Sequence, residues 1–291
     1  MTVDLYKSEF LLAQQMGLDA FVLNIGKDSY TDTQLGFAYD AAQQVNFKVF
    51  LSFDFNIGSL YYDANDAGLI TNIVEKYGSR PAQYKYKGKI FVSSFGDFKT
   101  PRFDWSLLDS SKMYIVPNLQ QDAIAGRKGI DGGMSWDAWP SQNNQPINSV
   151  KTTDNDIAFA NALAGRAYMA VASPWFFTRW KISPSYTKNW LFLSDTLWQT
   201  RWQQMLQLKP QFVEIYSWND FGESNYIGSL QCQAGDDQAY YARNMPHDAW
   251  RTLAAAYIAA YKSGANSPVV DTDRLIYWFV PFCLLCPRTA V

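Results

Sequence analysis

The fold class is decided by the run Phe212-Val213-Glu214-Ile215-Tyr216 and by the segment after it, Ser217-Trp218-Asn219-Asp220-Phe221-Gly222-Glu223-Ser224. The first run is short and rich in β-branched and aromatic residues, which predicts a buried strand of a parallel sheet. The second is polar and contains a glycine, which predicts the loop that leaves the carboxyl end of this strand. In α/β barrels the residues that carry chemistry lie at that end. We therefore expect an α/β fold with its functional site here.

Two carboxylic acids lie close together in this loop. Asp220 and Glu223 are three residues apart, so on a continuing strand their side chains would point to opposite faces. They can serve one site only if the chain turns between them, and Gly222 permits such a turn. Two carboxyl groups beside Trp218 suggest acid and base catalysis on a sugar, whose apolar face an indole ring can cover. The alternative interpretation is a solvated turn rich in Asn and Asp that could bind a cation.

Strand-like and helix-like runs alternate along almost the whole chain. This alternation predicts a parallel sheet wrapped by helices, and the strands match the second to the eighth strand of a (β/α)8 TIM-type barrel. The first strand is then missing, because the chain begins inside a helix that leads directly to Ala20. The predicted strands are residues 20–25, 48–53, 89–94, 114–117, 132–136, 167–172 and 212–217, and the predicted helices are residues 4–16, 33–45, 66–77, 153–164, 195–208 and 247–262.

Polar and aromatic residues gather after the carboxyl ends of these strands, and one end of a single barrel would bring them together. Asp54 follows the apolar run Phe50-Leu51-Ser52-Phe53, which would place its carboxyl group near the barrel axis; a helix cap or a turn is the other interpretation. Tryptophans at these positions are either platforms for sugars or anchors for loops. The predicted substrate-binding residues are Asn24, Asn118, Trp136, Asp137, Trp175, Tyr216, Trp218 and Asn219.

The composition argues against several classes of function. The chain has 25 Lys and Arg against 27 Asp and Glu, so it lacks the positive charge that binds nucleic acid or an anionic membrane. Its single histidine, His247, argues against a Ser-His-Asp enzyme and against a zinc site. Cys283 and Cys286 form an isolated Cys-x-x-Cys pair, for which we expect a structural role. No glycine-rich phosphate-binding motif is present, and we expect neither a metal nor a cofactor.

Four segments together resemble a known family. They are Gly17-Leu18-Asp19-Ala20-Phe21-Val22-Leu23-Asn24-Ile25-Gly26, Leu51-Ser52-Phe53-Asp54, Ser173-Pro174-Trp175-Phe176 and Tyr216-Ser217-Trp218-Asn219-Asp220-Phe221-Gly222-Glu223-Ser224. These segments resemble glycoside hydrolase family 71, the fungal α-1,3-glucanases that are also called mutanases. The resemblance runs from about residue 5 to residue 280. It implies a (β/α)8 catalytic domain and an inverting endo-hydrolase of α-1,3-glucan.

The resemblance also implies roles for three carboxyl groups. The family's essential aspartate after the third strand matches Asp54, and the Asp and Glu of its final motif match Asp220 and Glu223. Inversion needs one protonated carboxyl group at the leaving oxygen and one carboxylate that activates water, about 6.5 to 9.5 Å apart. We predict Asp220 as the acid and Glu223 as the base; the two roles could also be exchanged. Asp54 would bind substrate or adjust the titration of the pair.

The resemblance sets the expected domain and surroundings of the protein. Residues 1–280 are predicted to form the catalytic domain, and residues 281–291 to form an apolar tail without a match in the family. No secretory signal opens the chain and the tail is too short to span a membrane, so a place outside the cell or in the cell wall follows from the resemblance alone. The expected partner is α-1,3-glucan of the fungal cell wall or a related glucan, and the expected state is a monomer.

Two other functions compete with this one. A glucan-binding barrel that has lost catalysis is favoured by the missing strand. A glycosidase for another glycan is also open, because a fold and its carboxyl groups do not define the sugar. The presence of all three carboxyl groups favours the glucanase, since a binding module would not need them.

Overall fold

Parallel strands in two sheets form the centre of the molecule. The computed structural model describes residues 1–96, 102–142, 145–183, 186–232, 241–269 and 272–277. The helices are α1 (Val3–Gln15), α2 (Thr31–Gln44), α3 (Ala67–Gly78), α4 (Asp154–Ala162), α5 (Leu197–Leu208) and α6 (Asp248–Ser263). The strands are β1 (Phe21–Ile25), β2 (Val49–Asp54), β3 (Lys85–Tyr86), β4 (Lys89–Phe95), β5 (Met113–Val116), β6 (Gly132–Met134), β7 (Ser141–Gln142), β8 (Gln145–Pro146), β9 (Ala167–Ala172), β10 (Phe177–Ser183), β11 (Tyr186–Leu191) and β12 (Phe212–Ile215).

The order of the parallel strands follows the order of the chain. In the first sheet β1 pairs with β2, β2 with β4, and β4 with β5. In the second sheet β6 pairs with β9, and β9 with β12. A parallel bridge between Asn118 and Met134 joins the two sheets. The described strands thus follow one continuous path from β1 to β12, as the alternating sequence pattern predicts.

Side chains alternate between an inner and an outer face along each of these strands. On β2, Phe50 packs in the inner cluster with Phe91, Tyr114 and Met169. Its neighbours on β2 pack outward against the helices. The aromatic rings of β4 and β12 meet inside, since Phe91 and Phe212 have ring centroids 5.1 Å apart. The interior between the two sheets is therefore filled by side chains from opposite strands.

The helices cover the outer faces, α1 to α3 on the first sheet and α4 to α6 on the second. Helix α6 shows why: its buried residues Trp250, Ala254, Tyr257 and Ile258 recur at helical spacing and form one apolar stripe. Burial of each large apolar side chain contributes about 1.5–3 kcal/mol, which fixes the helix on the sheet. The helix ends at Gly264, whose φ of 73° suits a glycine.

The path of strands is open between β1 and β12. Among the described residues, the outer edges of these two strands pair with no further strand. A cavity of about 640 Å³ lies between them. Trp218 crosses the opening with its ring against Phe21, at 5.2 Å between centroids, and Lys262 crosses it with a hydrogen bond to the carbonyl of Gly17. The α/β class with parallel sheets is confirmed, and no closed barrel is seen among the described residues.

All seven predicted strands and all six predicted helices are present, within a few residues of their predicted ends. The antiparallel hairpin of β10 and β11 was not predicted. Between β4 and β6 the described residues form two short 3₁₀ turns, Trp105–Leu107 and Gln121–Ala123, and no α-helix. The apolar tail at 281–291 and its two cysteines lie outside the described residues. No helix in the described ranges is both long and apolar enough to cross a membrane.

Candidate active site

The phenol of Tyr216, which directly follows β12, lies in the electrostatic field of four carboxyl groups. Burial, and then the negative charges of Asp220, Glu223, Glu214 and Asp54, hold the pKa of Tyr216 well above its usual value. Asp54 is the last residue of β2, and Tyr216 directly follows β12. Carboxyl groups from β2 and from the loop after β12 therefore both act on this phenol, and the roles of Asp54, Asp220 and Glu223 stay a prediction. The phenol stays protonated and can donate a hydrogen bond to its anionic surroundings.

Side-chain hydrogen bonds hold the loop after β12 in a turn between Ser217 and Glu223. The backbone N–H of Asp220 donates to Oγ of Ser217 at 2.9 Å, and the backbone N–H of Glu223 donates to Oδ1 of Asp220 at 2.8 Å. Short polar side chains that accept from nearby backbone groups are the usual means of fixing such turns. The left-handed conformation falls on Ser224, with φ 57°, rather than on Gly222. The turn is thus made by side-chain hydrogen bonds more than by the glycine.

Glu223 is held by a cation. Its Oε1 forms an ion pair with Nζ of Lys188 on β11, and its Oε2 accepts from Nδ2 of Asn225 at 3.4 Å. The Lys188 ammonium also lies 4.9 Å from the ring centroid of Trp190 and 5.3 Å from that of Phe176. Both carboxylate oxygens of Glu223 therefore have donors.

Asp54 belongs to a hydrogen-bond network that includes side chains of β1 and β2. Its Oδ1 accepts from the backbone N–H of Asn56 at 2.8 Å, and its Oδ2 accepts from Nδ2 of Asn24 at 3.3 Å. The carbonyl oxygen of the Asn24 side chain in turn accepts from Oγ of Ser52 at 3.0 Å. These bonds fix the Asp54 carboxylate. Asn24 beside it is exposed to solvent.

Aromatic rings form one wall of the site. Trp136 meets Tyr216 with ring centroids 3.9 Å apart and Phe95 at 4.5 Å. Trp136, Asn219 and Asp220 line the cavity between β1 and β12, and Asn219 is exposed. A polar edge with an aromatic wall suits a sugar ring, which has both hydroxyl groups and an apolar face.

The remaining predicted residues are held mainly by other parts of the protein. Trp218 donates from its Nε1 to Oε2 of Glu9 on α1 at 2.8 Å. The carbonyl of the half-buried Trp175 accepts from Nε1 of Trp139 at 3.0 Å. Asp137 forms an ion pair with Lys151. These contacts anchor the loops around the site.

Asn118 lies buried where the two sheets meet. Its Nδ2 donates to the carbonyl of Met134 at 3.2 Å, and its Oδ1 accepts from the backbone N–H of Gly96 at 3.0 Å. Both ends of the amide are therefore occupied by backbone groups. The structure places this side chain in the junction between β5 and β6, whereas Asn24, Trp136 and Asn219 line the two cavities beside β1.

Two residues near the site were missed by sequence reasoning, Lys188 and Glu214. The runs at 177–183 and 186–191 are rich in aromatic and β-branched residues and are separated by two residues, a pattern that indicates a hairpin. That signal could have located Lys188 on a strand, but it could not have identified Glu223 as the partner of its ion pair. Glu214 could have been found from its position between Phe212 and Tyr216, because alternate residues of a strand share a face. In the described ranges no group of three or more His, Cys, Asp and Glu could hold a metal ion.

Glu214 points inward from the edge strand β12. It pairs in register with Val171, whose side chain belongs to the inner cluster. Its Oε2 is shielded from solvent and has no hydrogen-bond partner among the described residues. Burial without a compensating donor disfavours the charged form and raises the pKa of the Glu214 carboxyl from 4.5 to about 7.

This raised pKa predicts a pH-dependent stability. Between pH 4.5 and 7 the carboxyl of Glu214 ionises in the unfolded chain before it ionises in the folded one, so stability is lost as the pH rises through this range. We expect a loss of about 3 kcal/mol, from 1.36 kcal/mol per pKa unit. Urea denaturation from pH 5 to 8 should show this fall in the wild type and not in Glu214→Gln. Exposed Glu75→Gln is the control, and a parallel fall in all three proteins would contradict the assignment.

Comparison with known proteins assigns the chain to a family. The sequence model of glycosyl hydrolase family 71 matches residues 1–290. The chain belongs to glycosyl hydrolase family 71. A mutanase of Penicillium rubens is 46% identical to this family 71 chain over 286 residues, which cover 95% of the chain and 61% of that relative. The glucan endo-1,3-alpha-glucosidase agn1 of Schizosaccharomyces pombe is 35% identical over 302 residues, which cover 96% of the chain and 67% of that relative.

A solved structure supports the fold of this family 71 chain. The GH99 endo-alpha-mannosidase of Bacteroides thetaiotaomicron superposes with a TM-score of 0.68 over 90% of the chain and 85% of that protein. The sequence identity is 13%, so the similarity concerns the fold alone. The chain spans about three fifths of the length of the Penicillium mutanase. The match to family 71 includes residues 281–290, and the division of the chain at residue 280 stays a prediction.

Proposed function

We propose that this chain is a glucan endo-1,3-alpha-glucosidase, a hydrolase of α-1,3-glucan. The observation that carries the proposal is that the charges of Asp54, Asp220 and Glu223 all act on the phenol of Tyr216, which follows β12. Family 71 membership and the names of two relatives, a mutanase and a glucan endo-1,3-alpha-glucosidase, support the same substrate.

The proposed mechanism is a single displacement. The carboxylic acid of Asp220 gives its proton to the glycosidic oxygen as the bond from that oxygen to the anomeric carbon breaks. The carboxylate of Glu223 removes a proton from a water molecule, whose oxygen attacks the anomeric carbon from the opposite face. The new reducing end is then a β-anomer. Asp54, fixed by Asn24 and Asn56, binds a sugar hydroxyl or adjusts the titration of the pair.

The proposed substrate groove follows the polar and aromatic residues that line the cavities. Asn24, Trp136, Tyr216 and Asn219 line the two cavities beside β1. A neutral polysaccharide suits a protein with a net charge of −2. Asp137 and Trp175 remain candidates for the rim of this groove. Because the proposed substrate is a polymer of the cell wall, we propose that the protein acts outside the cell or in the cell wall. We also propose that it acts as a monomer.

We further propose that the two sheets belong to one (β/α)8-type barrel. The continuous parallel path from β1 to β12 supports this architecture, as does the similarity to the GH99 enzyme. Seven described strands occupy the second to the eighth position, and the cavity between β12 and β1 lies where the first strand would be. A strand seated there would pair with both open edges.

The test of the function is incubation of the purified protein with insoluble α-1,3-glucan, with β-1,3-glucan and α-1,4-glucan as parallel substrates. We expect reducing sugar from α-1,3-glucan alone. Inversion of an α-linkage predicts that proton magnetic resonance detects the β-anomer first, before mutarotation mixes the two forms. Initial α-anomer would exclude the single displacement. Release from another glucan would reassign the substrate, and binding without release would indicate a glucan-binding protein.

A further inference from the structure

The site loop, residues 217–229, has two legs that pair at its base. The backbone N–H of Gly228 in the second leg donates to the carbonyl oxygen of Trp218 in the first leg at 2.7 Å. Between the two legs the chain carries Asp220 and Glu223, the proposed acid and base. Contacts that fix the legs therefore also restrict where these two carboxyl groups lie.

A carboxyl group of helix α1 accepts hydrogen bonds from both legs. Oε2 of Glu9 accepts from Nε1 of Trp218 at 2.8 Å and from the backbone N–H of Ser229 at 3.2 Å. Oε1 of Glu9 accepts from Oγ of Ser229. Glu9 is only 2% exposed, and hydrogen bonds shielded from water are electrostatically stronger than exposed ones. Glu9 thus joins the first leg of the site loop to the second.

These bonds cross the opening between β1 and β12. Helix α1 is held on the first sheet by Phe10, the neighbour of Glu9, whose ring lies 5.3 Å from that of Phe21 on β1. The site loop, in contrast, leaves β12 on the other side of the opening. No strand pairing joins β1 to β12 in the part of the chain that the structure describes. Side-chain contacts such as those of Glu9 therefore hold the loop against the first sheet, which carries Asp54.

Gly228 leaves the space that the indole of Trp218 needs. A Cβ atom on residue 228 would lie 2.5 Å from the carbonyl oxygen of Trp218 and 2.6 Å from its Nε1. Both distances are shorter than non-bonded atoms allow, so a larger residue would displace either the paired leg or the indole. The glycine at this position therefore lets Trp218 pair with the second leg and still reach Glu9.

We propose that Glu9 is a positioning residue that clamps the site loop through Trp218 and Ser229. The clamp sets the positions of Asp220 and Glu223 relative to the first sheet. This inference rests on the proposed glucanase function, and it gives α1 a part in the reaction although Glu9 need not touch the substrate. A misplacement of about 1 Å at a catalytic group can lower the rate about a hundredfold, so the loss of such a clamp affects turnover.

Glu9→Ala removes the clamp and Glu9→Gln restores part of it. We expect Glu9→Ala to lower kcat on α-1,3-glucan about 10- to 100-fold with little change in KM, because the groove still binds while the carboxyl groups act from the wrong positions. Glu9→Gln keeps the length of the side chain and a carbonyl oxygen that accepts hydrogen bonds, so it should recover most of the lost kcat.

A double-mutant cycle with Trp218→Phe tests whether Glu9 acts through the indole. Trp218→Phe removes the indole N–H and keeps an aromatic ring, and by itself it should lower kcat. In the Glu9→Ala background it should add little, because both changes remove the same hydrogen bond. Fully additive losses would overturn the clamp, and Trp218 would then act on the substrate instead. Gly228→Ala should also lower kcat, since its methyl group displaces the indole from Glu9.

Hydrogen exchange followed by mass spectrometry tests the clamp without a substrate. Residues 217–229 should exchange faster in Glu9→Ala than in the wild type, because a loop released from its contacts opens locally. The exchange of β2 should stay unchanged. Equal exchange of the site loop in the two proteins would overturn the clamp.

The matched control is Asp4→Asn, because Asp4 lies on the same helix with its side chain 91% exposed. It should behave as the wild type in both assays. If Glu9→Ala loses activity only in proportion to its unfolded fraction, measured by circular dichroism, Glu9 is structural and the proposal is refuted while the glucanase function stands. A wild type that releases no sugar from α-1,3-glucan refutes the proposed function, and the effect of Glu9 on turnover with it.

Discussion

Replacement of Asp220 by Asn or of Glu223 by Gln is expected to lower turnover on α-1,3-glucan by at least about a hundredfold, the usual contribution of a general acid or base. Each change keeps the shape of the side chain and removes its titrating group. The hydrogen bond from the Glu223 backbone to Oδ1 of Asp220 can survive in Asp220→Asn, because the amide oxygen still accepts. Folding should therefore be little affected, which circular dichroism and the melting temperature will check.

The two variants should differ on a substrate that needs no acid. An α-1,3-linked oligoglucosyl fluoride loses fluoride without protonation, so Asp220→Asn should keep much of its activity on it. Glu223→Gln should remain inactive, since water still requires a base. The reverse pattern would exchange the two roles. Exposed Asp195→Asn, also a neutralised aspartate, is the matched control and should behave as the wild type.

Loss of one partner of the buried ion pair between Asp156 and Arg201 is expected to cause the largest loss of stability. Arg201 donates from Nη1 and Nη2 to the two carboxylate oxygens of Asp156, at 2.9 and 3.0 Å, and neither side chain is exposed. Its Nη2 also donates to the carbonyl of Val171 at 2.8 Å, and the hydroxyl of Tyr168 donates to Asp156 at 2.7 Å. This network joins α4, α5 and β9 behind the active site.

Asp156→Ala leaves the guanidinium of Arg201 buried without its counterion, which costs about 3–5 kcal/mol. Urea denaturation should show this fall in the free energy of unfolding. The double variant Asp156→Leu with Arg201→Met should be less destabilised than Asp156→Ala, because it buries no unpaired charge. Glu75→Gln breaks the exposed pair with Lys112 and should change stability by less than about 1 kcal/mol. Equal effects of Asp156→Ala and Glu75→Gln would show that the buried pair is not the source of the stability.

Local patterns were sufficient to predict the strands and helices. Parallel strands buried on both faces have continuous apolar runs, and the helices between them have apolar stripes at helical spacing. Both patterns can be recognised in a single sequence. Asp54, Asp220 and Glu223 were selected as candidate site residues because they come after such runs, and the carboxyl ends of parallel strands meet. The turn between Asp220 and Glu223 was expected, but its cause was found only in the hydrogen bonds of Ser217 and Asp220.

Contacts between residues far apart in the chain could not be predicted in this way. Trp218 has the aromatic side chain expected of a sugar platform, yet its indole N–H donates a hydrogen bond to Glu9, more than two hundred residues away along the chain. The amide of Asn118 is used by backbone groups of two sheets. The ion pair of Lys188 and Glu223 depends on how a hairpin folds over a loop. None of these pairings leaves a periodic signal, because periodicity reports which face is buried and not which side chain lies across from it.

The open edge of β12 also bears on how copies of this chain behave toward one another. Backbone donors and acceptors along an unpaired strand are a template for the edge of another molecule, and such pairing leads to aggregation. Natural sheets counter it with charged side chains that point inward from an edge strand. Glu214 is such a side chain. Above its folded pKa of about 7 the ionised Glu214 is expected to oppose such pairing, at the cost of the stability lost below that pH. Glu214→Gln is therefore expected to be more stable at pH 8 and to aggregate more readily there.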